Sequence, residues 1–143
     1  MIELYSDKYH DEVMTLVKEF YDCSFKEYEQ NPWKQERIEE MINFYKNKVY
    51  LLIVDNKCEG IFAGTILPML SDNYCFYEFF FYVREGARIF AGFFIKGIME
   101  RLKEKGIKKV IIGCTQNLAT DRVIKLYDKL GFKPFEMHFY KEL

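Results

Sequence analysis

Histidine and paired cysteine are scarce in this chain, and with them most metal chemistry. The only histidines are His10 and His138. The four cysteines (Cys23, Cys58, Cys75, Cys114) form no C-x-x-C pair and no zinc spacing, so no metal site is expected. An excess of charge of one sign is missing too: the formal net charge is -1, which argues against the basic surface that general nucleic-acid binding requires. No apolar run is long enough to cross a bilayer as a helix. The most apolar stretch, Tyr74 to Val83, is short and interrupted by Glu78. No secretory leader pattern is evident. These absences predict a reduced, cytoplasmic protein with structural cysteines and neither nucleic acid nor membrane as partner.

What the chain does have is apolar mass. Half of its 143 residues are hydrophobic, and 11 Tyr, 14 Phe and 1 Trp give it a heavy aromatic load. That length and composition predict one folded domain, residues 1–143, around one core. Charge is uneven: residues 1–47 hold 11 of the 22 acids but only 6 of the 21 Lys and Arg. An anionic ligand is therefore better placed on the C-terminal part.

Periodicity gives the element order. Ile2 to Tyr5 reads as a strand. His10 to Tyr21 carries Val13, Leu16, Val17 and Phe20 at helical spacing. Asn31-Pro32 marks the start of a second helix, with Asn31 as cap and Pro32 in the first turn, bearing Ile38, Met41, Ile42 and Tyr45. Val49 to Val54 and Gly60 to Leu67 read as a hairpin about a turn at Asp55-Asn56-Lys57. Tyr77 to Val83 reads as a further strand, Ala91 to Lys105 as a helix stopped by Gly106, and Val110 to Cys114 as a strand. Thr120 to Leu130 reads as a helix stopped by Gly131, and Phe135 to Tyr140 as a last strand. The order β-α-α-β-β-β-α-β-α-β predicts an α/β fold, a mixed sheet with helices on both faces. The crossover from Tyr77–Val83 to Val110–Cys114 should be parallel.

The last third holds the most specific pattern. An aromatic strand leads into an arginine-bearing loop that opens a helix, and the next helix closes with Tyr127-Asp128-Lys129-Leu130-Gly131-Phe132. In this arrangement the chain resembles the GNAT N-acetyltransferases. The element order covers nearly the whole chain, and the motif matches run from about Glu78 to Phe132. The resemblance implies acetyl-CoA as co-substrate, no metal, and direct transfer of the acetyl group to the amine of a small molecule or a protein. It also implies that Arg88-Ile89-Phe90-Ala91-Gly92-Phe93 holds the coenzyme A diphosphate. A helix start offers unpaired N–H groups and the positive end of the helix dipole to such an anion. Here Ala91 stands where the family has its first glycine and Phe93 where it has a second small residue. Arg84, just before the loop, is a candidate second charge near the phosphates, or a solvated turn residue.

Roles for single residues follow from the same resemblance. Tyr127 matches the tyrosine that faces the departing thiolate; its other reading is a tyrosine packed in an aromatic core. Glu78 is the only charged residue among the aromatics of its strand. Burial would raise its pKa toward that of a useful base for the amine proton; its other reading is a strand residue turned to solvent. The Val83 N–H is placed to bind the thioester oxygen, and Asn117 is a weaker cofactor-side candidate. His138 is a minor candidate for acceptor contact, and Cys114 reads as a packing residue. The acidic first part hints at a cationic acceptor. Competing readings are a non-catalytic GNAT-fold module that binds coenzyme A or a partner protein, and a homodimer joined through the C-terminal strand.

Overall fold

The computed structural model describes residues 1–28, 32–115 and 121–143. Strands β1 (Ile2–Leu4), β2 (Val49–Val54), β3 (Lys57–Pro68), β4 (Tyr74–Val83) and β5 (Lys109–Ile111) form a single sheet in sequential order. All neighbours are antiparallel except β4 and β5, which are parallel. Helices α1 (His10–Phe20) and α2 (Gln35–Tyr45) precede the hairpin, α3 (Ala91–Glu104) makes the crossover, and α4 (Asp121–Lys129) follows β5. The mixed α/β architecture is the one the periodicity predicts.

Alternation along β2 assigns the two faces. Val49, Leu51 and Ile53 pack with Val13, Leu16 and Val17 of α1 and Ile42 of α2. Tyr50 and Leu52 turn the other way, onto Phe94, Ile98 and Leu102 of α3. Period-two strands thus meet period-3.6 helices on each side, and burial of both apolar faces drives assembly. The β2–β3 turn is tight because Asp55 and Asn56 both adopt positive φ, at 49° and 62°, the twist a two-residue hairpin requires.

Three expectations need correction. Pro32 lies outside α2, which starts at Gln35; the proposed cap Asn31 lies outside the described residues. β5 ends at Ile111 rather than Cys114. Residues 135–140 form no strand: Phe135, Met137 and Phe139 alternate as a strand would, but they are 63–88% exposed. With no neighbouring strand and no face to bury, alternation alone does not hold a segment in a sheet. Only Cys58 and Cys75 are buried, whereas Cys23 and Cys114 are exposed.

Candidate active site

The site forms where β4 leaves β5. Their ladder covers only Cys75 to Tyr77 against Lys109 to Ile111, and beyond it the strands part. On its other side β4 is bulged: Ala63 faces Phe80 while the next residue, Gly64, faces Glu78, so Phe79 is the extra residue. Consequently Phe79 and Phe80 both pack toward the α1–α2 side. Gly64 lets β4 close over it, since a Cβ there would lie 2.4 Å from both the Phe76 ring and the Tyr77 carbonyl oxygen.

Glu78 sits at the mouth of this parting. It is buried, and its carboxylate accepts a hydrogen bond from the Gly113 N–H at 3.0 Å. Burial pushes its pKa up to about 8, partly opposed by that N–H. A carboxyl group in this state exchanges its proton near neutral pH, as a general base must.

Tyr127 reaches the same residue from α4. Its hydroxyl donates to the Gly113 carbonyl at 2.9 Å. The end of α4 fixes it there. Gly131 adopts φ +82°, the Phe132 N–H donates to the Tyr127 carbonyl (3.0 Å), and the Gly131 N–H donates to the Asp128 carbonyl (2.9 Å). This pair of bonds is the Schellman end, and its accompanying apolar contact is Tyr127 against Phe132, ring centroids 5.8 Å apart. Burial first, then the nearby Glu78 and Cys114, drives the Tyr127 pKa well above its ordinary value. The phenol therefore keeps its proton and acts as a hydrogen-bond donor.

Val83 ends β4 with its N–H available on the open side. The Arg84 N–H donates to the Glu59 carbonyl at 2.9 Å. Val83 and Gly60 are therefore a non-hydrogen-bonded pair, and the Val83 N–H turns away from β3.

Beyond Val83 the chain forms a 3-10 turn, Glu85–Phe90, that runs into α3. Arg88 and Ile89 are exposed on it. The Ala91 N–H is taken up by the Arg88 carbonyl, but no side chain caps α3. Phe90 and Phe93 lean toward Leu52 and Val54 of β2, where they line a cavity of about 390 Å³. Gly92 lies against Leu126 of α4, to which an added Cβ would come within 3.4 Å. Arg84 is committed elsewhere: its guanidinium grips both Glu19 carboxylate oxygens at 2.9–3.2 Å and lies 3.8 Å from Glu59. It ties α1 to the end of β4 rather than facing the loop.

The structure thus brings Glu78 and Tyr127 together on Gly113, sets Gly92 at the start of α3 against Leu126 of α4, and pairs the Arg84 side chain with Glu19. Asn117 lies outside the described residues. Gly113 was missed by the sequence reading, although a glycine just after an apolar strand invites close backbone approach. His138 contacts the β4 side chain of Tyr77 at 3.2 Å. Among the described residues, no group of His, Cys, Asp and Glu is placed to hold a metal ion, and no helix is long and apolar enough to cross a membrane.

No protein-family profile matches the chain, and no curated protein matches it by sequence. Solved structures do match. An aminoglycoside acetyltransferase from an uncultured soil metagenomic sample, in complex with sisomicin, superposes with TM-score 0.76 at 17% identity, covering 100% of this chain and 95% of that one. A ribosomal-protein-alanine N-acetyltransferase from Brucella melitensis biovar Abortus gives TM-score 0.77 at 14% identity, covering 100% and 98%. A Trypanosoma brucei acetyltransferase gives 0.73 at 14%, covering 100% and 99%. At such identities the likeness establishes the fold: this chain has the architecture of the GNAT acetyltransferases.

Proposed function

We propose that this protein is a GNAT N-acetyltransferase that moves the acetyl group of acetyl-CoA directly to a primary amine. The observation that carries this reading is the convergence of Glu78 and Tyr127 on Gly113, at the point where β4 and β5 part. The proposal seats the thioester at this parting, beside the Val83 N–H, which turns away from β3. The uncapped start of α3 and the exposed Arg88 offer positive potential to a diphosphate.

Each residue then has one task. Glu78, as carboxylate, takes the proton that the acceptor amine must lose; a free alkyl ammonium ionises near 10.4. The amine nitrogen attacks the thioester carbon, and the Val83 N–H donates to the oxygen that becomes negative. As the C–S bond breaks and the amide forms, the Tyr127 hydroxyl swings its hydrogen bond from the Gly113 carbonyl to the departing sulfur. Because the phenol holds its proton tightly, it stabilises the thiolate by hydrogen bonding; the second proton, shed by the nitrogen as the amide forms, passes to the sulfur, and coenzyme A leaves as the free thiol.

Arg88 supports diphosphate binding, with the amides of Gly92 and Phe93. Ala91 contributes spacing rather than its N–H, and Arg84 contributes the α1 anchor.

One observation favours the competing reading of a fold retained without its chemistry: the 3-10 turn already engages the Ala91 N–H, so the helix start offers fewer free donors. Release of free thiol from acetyl-CoA in the presence of a panel of amines separates the two. The proposal expects amine-dependent release that rises between neutral pH and pH 9. Acetyl-CoA binding without release for any amine, unchanged by Glu78→Gln, favours the non-catalytic module.

A further inference from the structure

Which amine is acetylated is addressed by a second cavity. It has a volume of about 350 Å³ and lies on the α1–α2 side of the sheet, floored by Phe80 and walled by Phe20, Phe25, Tyr21 and Trp33. Phe80 is two residues beyond Glu78, across the bulge at Phe79, which turns the two side chains to opposite faces of the sheet beside the parting of β4 and β5. The rings hold one another: Phe20 meets Phe80 at 5.4 Å and Phe25 at 5.3 Å, both edge-on, and Tyr21 meets Trp33 at 5.3 Å. The cavity is therefore preformed and apolar, about the size of one aromatic or branched aliphatic group.

Its charge is one-sided. Among the described residues, Lys34 and Arg37 are the charged residues that line it and no carboxylate does, although Arg37 also pairs with Glu40 at 3.2 Å. The aromatic pair already has a cation: the Lys18 ammonium lies 5.5 Å from the centroids of both Tyr21 and Trp33, fixed by Asp22 at 2.6 Å. A cationic ligand would have to displace it. The acids of the N-terminal part that are described lie outside this lining.

We propose that this cavity takes the body of the acceptor, and that the acceptor is an amine with an aromatic or branched aliphatic body and a carboxylate at the far end. The body fills the space over Phe80, the carboxylate pairs with Lys34 and Arg37, and the amine reaches Glu78 through the parting of β4 and β5. This rests on the acetyltransferase reading and narrows it. On this reading a polyamine or a polycationic amino sugar is a poorer acceptor than such an amine.

Trp33 is the chain's only tryptophan, so its fluorescence reports occupancy without turnover. The probes are para-aminomethylbenzoate, benzylamine (the same body without the carboxylate) and spermidine. The inference expects a saturable change with para-aminomethylbenzoate, at least tenfold weaker with benzylamine and absent with spermidine. In Lys34→Gln/Arg37→Gln, both exposed positions, the preference over benzylamine should disappear. A saturable response to spermidine, equal affinity for benzylamine in the native protein, or no response to para-aminomethylbenzoate at millimolar concentration overturns it. Acetylation of spermidine with Trp33 silent would sink this inference but leave the transferase standing. A Trp33 response without acetyl transfer would do the reverse.

Discussion

Glu78 and Tyr127 are bridged by one residue: the Gly113 N–H donates to the Glu78 carboxylate at 3.0 Å, and the Gly113 carbonyl accepts from the Tyr127 hydroxyl at 2.9 Å. The residue proposed to accept a proton and the residue proposed to steady the leaving group are thereby positioned by the same short stretch of chain. Each can be changed separately, and the two changes have different signatures.

Glu78→Gln removes the base while keeping an oxygen for the Gly113 N–H. The native enzyme should gain kcat/KM as pH rises through about 8, where Glu78 loses its proton. The variant should be slower by about 100-fold or more and lack that rise, with acetyl-CoA affinity unchanged. A native pH profile retained by the variant rules Glu78 out as base.

The same raised pKa affects stability. Between the ordinary carboxyl value of 4.5 and about 8, the native state keeps a proton that the unfolded chain has released. The contribution of the neutral, buried carboxyl is fully present below about pH 4.5. It is lost as pH rises through that window and is gone above about 8. Glu78→Gln, which has nothing to ionise, should therefore gain in melting temperature relative to the native protein as pH goes from 5 to 9. A constant difference across that range contradicts the buried placement.

Tyr127→Phe deletes the hydroxyl but keeps the ring against Phe132. Turnover should fall about 100-fold with acetyl-CoA binding retained and stability lowered by only about 1 kcal/mol, the worth of one hydrogen bond. Stability lost with turnover intact would make Tyr127 a packing residue.

The two arginines should separate. Arg84→Ala breaks a half-buried bidentate pair with Glu19 and should cost about 1 kcal/mol of stability with little change in acetyl-CoA affinity. Arg88→Ala should do the opposite. Weakened acetyl-CoA binding in Arg84→Ala at unchanged stability would return Arg84 to the cofactor site.

Gly64→Ala tests the bulge. Its Cβ would meet the Tyr77 carbonyl oxygen, which is backbone and cannot rotate aside, so a loss of about 1–3 kcal/mol is expected, seen in denaturant unfolding. A neutral effect would mean that β4 does not lie this close to β3.

Much of the fold was legible because it is written in periods. Val49 to Val54 alternates between two helical layers, and the bounds of that strand were read without error. Tyr127 was legible because Gly131 and Phe132 complete a helix end whose chemistry is local. Where the sequence misled, the deciding contact was distant. Arg84 reads as a phosphate-side charge or a solvated turn residue, and its pairing with Glu19, 65 residues earlier, is in neither reading. The alternating Phe135, Met137 and Phe139 read as a strand because pattern records the faces of a segment and not the presence of a neighbour. Gly113 carries no side chain to signal its role, and the shape of the aromatic cavity depends on how α1, α2 and β4 meet.

Thermal unfolding with and without acetyl-CoA tests the central claim most directly. A ligand at a hundred times its dissociation constant stabilises the native state by about 2.7 kcal/mol, so a clear rise in melting temperature is predicted, reduced in Arg88→Ala. No rise at millimolar acetyl-CoA would contradict the account, leaving an acetyltransferase fold that does not bind the acetyl donor.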